Sequence, residues 1–387
     1  MRTNSVGIVE KRFFTFADPP GKMPLASGAS LGPVTLAYET YGTLDEAKSN
    51  AVLICHALSG SSHVAGTYSE SDAGPGWWDN MVGPGKAVDT EKYFVICPNI
   101  IGSCYGSTGP GSVDPVTGKP FGLRFPLFTI SDVVRAEKAL VDFLGVPRLL
   151  AAVGGSIGGM QALEWAVAYP EMIRAAIPIA STCKRSALSI GLCEAQRQAI
   201  MADPAWNNGD YYGQEPPRKG LALARIIGHI TYLSEASMQR KFGRRLQDNA
   251  AFKFDFTTDF QVESYLHHQG RKFVDRFDAN SYLYITKAAD YFDLGEQRGG
   301  GSLVRAFAGT AAKYLVISFS SDWLFPTAQS REMVRALTKA GRDVSFCEID
   351  CDAGHDSFLL AEVPMTRLIS GFLARVADEE GLSCAST

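Results

Sequence analysis

Residues 154–159 (GGSIGG) place one serine, Ser156, among four glycines, directly after the apolar run 149–153 and before a helical segment. A G-x-S-x-G pattern between a buried strand and a helix is typical of a nucleophile elbow, in which the serine hydroxyl stands at the edge of a sheet. The positions two before and two after the serine must be small because the turn is tight. The pattern therefore predicts Ser156 as a nucleophile, with a plain structural turn as the alternative.

A serine hydroxyl needs a base at neutral pH, and histidine suits that role best. His355 follows the last apolar run, where the chain order Ser…Asp…His places the base. The acid is then expected after the preceding run, which nominates Asp322 to orient the imidazole. Asp350 and Asp352 lie closer to His355 in sequence and stay open as alternatives for the acid.

Acyl transfer also needs two backbone N–H groups to stabilise an oxyanion. Ile157, directly after the nucleophile, is expected to supply one of them. The loop 56–60 (HALSG) is expected to supply the other through Leu58. An ordinary loop, in which His56 packs for structural reasons, is the alternative for this segment.

Six short apolar runs lack the alternation of a half-exposed sheet and are expected to be buried parallel strands. Helical patterns separate most of them, and one begins at a capping box formed by Thr129 and Asp132. This alternation predicts an α/β fold with a mostly parallel sheet covered on both faces. The runs are 51–55, 93–97, 149–153, 175–179, 314–317 and 344–349.

One region, from about residue 183 onward, breaks the alternation and shows only helical patterns until about residue 294. The sequence thus predicts a core domain made of 1–182 and 299–387, with a helical lid domain, 183–298, inserted over the sheet. A stretch rich in Gly, Pro and Ser, 102–126, is expected to be a long surface loop.

The composition excludes several classes of function. A formal net charge of −4 with interspersed charges gives no basic stripe for nucleic acid. No run approaches the roughly 20 apolar residues of a membrane span, and 1–16 lacks the apolar core of a signal peptide. Eight scattered cysteines show no zinc-ligand spacing, so no metal is expected. Free thiols in a reducing cytoplasm are the prediction.

Six longer segments are more specific than a single motif: 55–66 (CHALSGSSHVAG), 76–90 (GWWDNMVGPGKAVDT), 106–110 (GSTGP), 154–166 (GGSIGGMQALEWA), 220–234 (GLALARIIGHITYLS) and 354–360 (GHDSFLL). Together they resemble the homoserine O-acetyltransferases, a family of methionine biosynthesis with the α/β-hydrolase fold. The resemblance extends from about Phe14 to Phe372. It departs at Ile157, where the family usually has methionine, and this apolar change leaves the backbone N–H in place.

The resemblance implies ping-pong transfer of an acetyl group from acetyl-CoA, a co-substrate with no further cofactor, to Ser156 and then to the side-chain hydroxyl of L-homoserine. It implies that Arg225 binds the substrate carboxylate, that Tyr232 assists by hydrogen bonding and that Asp356 faces the ammonium group. Arg225 and Tyr232 lie two helical turns apart, so one helix face can present both. The lid is expected to roof the site and to form a homodimer.

Three functions from different classes remain open. An acyl-CoA:homoserine transferase is favoured, with a succinyl donor or a serine acceptor as variants. An esterase or peptidase with the same nucleophile would need a water-accessible site but neither Arg225 nor Asp356. A non-catalytic binding protein is disfavoured, because nucleophile, base, acid and both oxyanion segments are all present.

Overall fold

The main sheet of the computed structural model, which describes residues 4–72, 74–248 and 250–381, has eight strands. They are β1 (Arg12–Phe16), β2 (Val34–Tyr41), β3 (Ala51–Cys55), β4 (Phe94–Pro98), β5 (Ala151–Gly155), β6 (Ala175–Ile179), β7 (Lys313–Phe319) and β8 (Val344–Ile349). Their order across the sheet is β1-β2-β4-β3-β5-β6-β7-β8. β2 pairs antiparallel with β1 and β4, and the other neighbours are parallel. This arrangement confirms the predicted α/β fold class.

The apolar runs predicted six of these strands and missed β1 and β2. β1 is exposed or half-buried because it lies at the edge of the sheet, and the apolar residues of β2 are interrupted by Thr35, Glu39 and Thr40. The prediction for β5 was two residues too early. β5 continues to Gly155, which pairs with Ile179 of β6, and so ends directly before Ser156.

Helices cover the sheet and fill the segment between β6 and β7. The α-helices of the described ranges are α1 (Ile130–Phe143), α2 (Ile157–Ala168), α3 (Ala187–Met201), α4 (Arg218–Tyr232), α5 (Glu235–Lys241), α6 (Gln261–Val274), α7 (Ala279–Asp290), α8 (Leu294–Gly299), α9 (Leu303–Ala308), α10 (Thr327–Lys339) and α11 (Val363–Glu379). α1 begins with the predicted capping box of Thr129 and Asp132. No helix in these ranges has an apolar stretch long enough to cross a membrane.

The helices α3 to α8 lie where the helical lid was predicted. The two ends of that segment meet, since the N–H of Leu294 donates to the carbonyl of Cys183 at 2.9 Å. The limits at 183 and 298 stay a prediction. Residues 1–3 and 382–387 of the predicted core domain, with Cys384, lie outside the described residues.

Two apolar clusters, one on each face of the sheet, form the core. In β3, Leu53 and Cys55 belong to the cluster that contains residues of α1 and α2, whereas Val52 and Ile54 belong to the cluster that contains residues of α11. Strands covered on both faces have only their ends free for a site. Because β3, β5, β7 and β8 run parallel, their carboxyl ends meet at one edge, where the loops with the predicted site residues begin.

Candidate active site

Ser156 occupies the turn between β5 and α2 with φ 58° and ψ −123°, a conformation that residues other than glycine rarely adopt. Close packing holds this turn. A Cβ at Gly158 would overlap the carbonyl oxygen of Cys55, and a Cβ at Gly154 would overlap the backbone of Gly158. The N–H of Ser156 also donates to the carbonyl of Ile179 at 2.9 Å. The surrounding structure therefore enforces the strained backbone.

His355 joins Ser156 to Asp322 through two hydrogen bonds. Its Nε2 lies 2.9 Å from Oγ of Ser156, and its Nδ1 lies 2.7 Å from Oδ2 of Asp322. The other carboxylate oxygen of Asp322 accepts from the backbone N–H groups of Leu324 and Phe325, at 3.0 and 2.9 Å. The structure thus brings together the predicted nucleophile, base and acid, called the triad below, and all three side chains are buried.

The two alternative acids have partners outside the triad. The hydroxyl of Ser320 donates to Asp350 at 2.7 Å, and Nη2 of Arg240 lies 2.8 Å from Oδ1 of Asp352. Although both carboxylates are near the base in sequence, the carboxylate at its Nδ1 comes from the loop after β7. The geometry therefore favours Asp322 over either alternative.

The predicted oxyanion donors lie beside the nucleophile. Ile157 is the first residue of α2, so its N–H has no acceptor within the helix. Leu58 lines the same cavity as Ser156. Leu58 precedes Ser156 in the chain and Ile157 follows it, but both lie at the same edge of the sheet. Their role as oxyanion donors stays a prediction.

His56 anchors the loop that contains Leu58. Burial lowers its pKa to about 4, so the ring is neutral at physiological pH. A neutral ring can donate from Nδ1 to the carbonyl of Ala57, at 2.7 Å, while Nε2 accepts from the N–H of Ile100, at 3.1 Å. Gln161 of α2 donates to the carbonyl of His56 at 3.1 Å. His56 thus has the structural role that the sequence left open, and it ties this loop to the helix of the nucleophile.

α4 forms the lid side of a cavity of about 560 Å³ above the triad. Arg225 and Tyr232 line it together with the nucleophile, the base and Asp356. The guanidinium of Arg225 lies 5.6 Å from the ring centre of Tyr232 and 4.6 Å from that of Phe273. Its Nε is buried and has no hydrogen-bond partner in the part of the chain that the structure describes. Arg225 therefore lines the cavity and keeps an unused donor.

Asp356 follows the base in the turn Gly354–Leu359 and lines the same cavity. Burial raises the pKa of this carboxyl, and the nearby His355 and Arg225 act in the opposite direction. The cavity thus presents the cation of Arg225 and the carboxylate of Asp356 together with the nucleophile and the base. The structure brings together all three residues for which the resemblance implied a substrate-binding role.

Gly354 lets the lid backbone approach the loop of the base. With φ 82°, a Cβ at this position would lie 2.5 Å from the nitrogen of Ser234 and 2.6 Å from the carbonyl oxygen of Tyr232. Next to the acid, Nε1 of Trp323 donates to the carbonyl of Leu233 at 3.1 Å. The C-terminal end of α4 therefore contacts the loops of both acid and base. Sequence reasoning missed this contact, although a glycine directly before the base was a visible signal.

Further residues of the cavity wall were also missed. Tyr105 comes from the predicted surface loop, and Lys272, Phe273 and Arg276 come from α6 and the turn after it. Their only signal in the sequence was two basic residues four positions apart at the end of a helix. Tertiary packing decides which helix of the lid faces the cavity. The sequence alone therefore could not show that these two basic residues line it.

Comparison with known proteins shows the fold family of this chain and the enzyme family within it. A family model described as the alpha/beta hydrolase fold matches residues 50–362, so this is an α/β-hydrolase-fold protein. Among curated proteins, homoserine O-acetyltransferase from Solidesulfovibrio magneticus is 60% identical over 372 residues, which cover 96% of this chain and 94% of that protein. The chain belongs to the homoserine O-acetyltransferase family, a family of acyltransferases.

Similar proteins also bear other names. A homoserine O-succinyltransferase from Acidithiobacillus ferrooxidans is 53% identical over 379 residues, 98% of each chain. The crystal structure of homoserine O-acetyltransferase from Bacillus anthracis superposes with a TM-score of 0.88 at 32% identity, covering 95% of this chain and 98% of that one. An esterase superposes with a TM-score of 0.86 at 33% identity, covering 95% and 100%. One scaffold thus occurs with different donors and with ester hydrolysis.

Because hydrogen bonds join the three residues of the triad, the effects of substituting them on kcat should not be additive. Ser156→Ala and His355→Ala should each lower kcat for an acetyl ester or thioester by a factor on the order of 10⁶, because the hydroxyl is a nucleophile only together with the base that takes its proton. The double variant should be scarcely slower than either single variant. Steady-state kinetics with matched thermal unfolding midpoints provides the measurement. Losses that multiply in the double variant would contradict a shared role.

Proposed function

We propose that this protein transfers an acetyl group from acetyl-CoA to the side-chain hydroxyl of L-homoserine, for methionine biosynthesis in the cytoplasm. The main support for this proposal is that Ser156, His355, Arg225 and Asp356 line one cavity. A nucleophile with its base suits acyl transfer, and a cation with a carboxylate suits the two charged groups of an amino acid. Membership of the acetyltransferase family supports the reaction. The seven free thiols of the described residues support a reducing compartment.

In the first half-reaction, Nε2 of His355 takes the proton of Ser156 while Oγ attacks the thioester carbonyl. The N–H groups of Leu58 and Ile157 stabilise the oxyanion, and Asp322 stabilises the imidazolium through Nδ1. The bond between the carbonyl carbon and sulfur then breaks. The imidazolium gives its proton to the departing CoA thiolate, which leaves an acetyl ester on the serine.

In the second half-reaction, the hydroxyl of homoserine gives its proton to the same Nε2 and attacks the acetyl carbonyl. Arg225 binds the carboxylate, Tyr232 assists by hydrogen bonding, and Asp356 accepts from the ammonium group. Holding the hydroxyl at the ester gives it an advantage over free water. When the bond to Oγ breaks, the imidazolium returns its proton to Ser156 and O-acetyl-L-homoserine is released.

The second candidate function is ester hydrolysis, favoured by the similarity to an esterase. Hydrolysis uses the same triad and oxyanion donors, with water in place of homoserine. It gives no role to the buried, unused donor of Arg225. The rate at which the acyl-enzyme is discharged with and without homoserine therefore separates the two functions.

Acetyl-CoA alone should acetylate the enzyme, because the mechanism has a covalent intermediate. After quenching, mass spectrometry should find one acetyl group on the peptide with Ser156, and Ser156→Ala should show none. Adding homoserine should discharge the adduct much faster than buffer does. Equal discharge rates would assign a hydrolase, and preferential labelling by succinyl-CoA in a parallel sample would change the donor.

Arg225→Ala should damage the second half-reaction alone. Losing a charge-assisted contact to the acceptor carboxylate should cost about 2–4 kcal/mol in kcat/KM for homoserine. Rapid-quench acetylation by acetyl-CoA should be nearly unchanged, because homoserine takes no part in it. Arg225→Lys should recover little, since a point charge lacks the planar fork. Arg244→Ala, which removes another lid arginine over an aromatic ring, is the control. Equal damage to both half-reactions would contradict the assignment.

We also propose that the lid forms a homodimer. Between α5 and α6, the side chains of Phe254 and Phe256 are 92% and 110% exposed, and Phe252 beside them is half exposed. On α4, Leu223 and Ile230 are 48% and 44% exposed. Clustered exposed apolar side chains mark an interaction surface, and a second copy can cover them symmetrically.

Substituting both Phe254 and Phe256 by Asp should therefore convert a dimer into a monomer, because burying two carboxylates in an apolar interface is unfavourable. Light scattering should show a halved mass. Val116→Asp is the control, since Val116 is 87% exposed on the predicted surface loop outside the lid. A monomeric wild type, or a double variant that stays dimeric, would overturn the proposal.

A further inference from the structure

Two cations, Lys272 and Arg276, line the cavity at the end of α6 and are exposed, whereas Ser156 is only 8% exposed. Lys272 belongs to the last turn of α6, and Arg276 lies in the turn after it, where its N–H donates to the carbonyl of Phe273 at 3.1 Å. Of the described residues that line the cavity, Asp356 beside the base is the one carboxylate. The outer part of the cavity therefore has a cationic rim, defined here as Lys272 and Arg276.

The rim is not neutralised by the protein itself. Within the described ranges, neither Lys272 nor Arg276 forms a salt bridge, although Asp275 lies between them in sequence. Asp275 pairs instead with Arg218 of α4. Two like charges four residues apart repel each other, which is unfavourable without an anion nearby. The charges of Lys272 and Arg276 are therefore not compensated by a carboxylate of the described residues, and a bound anion would stabilise both.

Arg276 is held in place by uncharged groups. Its Nη1 donates to the hydroxyl of Tyr105 at 3.0 Å and to the carbonyl of Ser59 at 3.4 Å. Its guanidinium also lies 5.1 Å from the ring centre of Phe273. These contacts fix the cation but leave its charge available. Because Ser59 follows Leu58, they also connect the rim with the loop proposed to stabilise the oxyanion.

We propose that Lys272 and Arg276 bind phosphate groups of the acyl-CoA donor while its thioester reaches Ser156. This inference rests on the proposed function. The acyl and pantetheine parts of the donor are uncharged and suit the interior of the cavity, whereas the phosphates must stay at its solvent side. The rim is cationic there, and lysine and arginine are both effective phosphate ligands.

An alternative explanation is that these cations only interact favourably with the C-terminal end of α6. That explanation applies equally to Arg271, which is exposed on the same helix but does not line the cavity. Lys272→Glu and Arg271→Glu thus form a matched pair, in which the same charge is reversed on neighbouring positions. Lys272 is the better position to test, because Arg276 also supports the loop of Ser59.

The measurement is kcat/KM for acetyl-CoA and for S-acetylpantetheine, which has the same thioester but no phosphate, at saturating homoserine. Lys272→Glu should lower the ratio of kcat/KM for acetyl-CoA to kcat/KM for S-acetylpantetheine about tenfold. One partly exposed charge contact to the phosphates is lost, and the new carboxylate repels them. Arg271→Glu should leave the ratio at its wild-type value. Rising salt should lower the wild-type ratio as well.

Three outcomes would overturn the phosphate site. They are an unchanged ratio in Lys272→Glu, equal losses with both donors, and equal effects of the two substitutions. In each case a wild type that acetylates homoserine would leave the proposed function intact. A wild type that transfers acetyl from neither donor would overturn the proposed function, and the phosphate site with it.

Discussion

The left-handed turn at Ser156 is the constraint on which the rest of the site depends. A serine with φ 58° is kept there because α2 packs against the end of β3 with glycine at the contact, Gly158 against the carbonyl of Cys55. The same close approach brings the loop after β3 to the nucleophile. One packing contact between a helix and a strand therefore sets the hydroxyl, the N–H of Ile157 and the loop of Leu58 together at one edge of the sheet.

The base and the acid reach this turn from two other strands, and the lid contacts both of their loops. Trp323, beside the acid, donates to the backbone at the end of α4, and Gly354, beside the base, lies against the same stretch. That stretch directly follows the helix of Arg225 and Tyr232. The same stretch of backbone therefore contacts the loops of Asp322 and His355 and continues the helix of Arg225. This arrangement suits a reaction that must align two substrates in turn.

Charge is distributed unevenly along the cavity. Ser156 and His355 line its base, Arg225 of α4 and Asp356 beside the base line it as well, and its exposed side has the cations Lys272 and Arg276. An ester hydrolase needs only the first of these groups. A transferase that takes an amino acid and a phosphate-bearing donor has a use for all of them, so the charge pattern agrees with the family to which the chain belongs.

The sequence by itself determined the features that local patterns encode. These were six of the eight strands, of which β8 is half-buried at the edge of the sheet, the elbow at Ser156, the chain order that nominated His355 and Asp322, and, through resemblance, the residues of α4. It left Asp350 and Asp352 open as alternatives to Asp322, and it missed β1, β2 and the cationic rim. Tertiary structure decided these points, because they depend on contacts between distant segments. Ser156 and His355 are 199 residues apart, and only the packing of parallel strands and the lid brings such groups within hydrogen-bond distance.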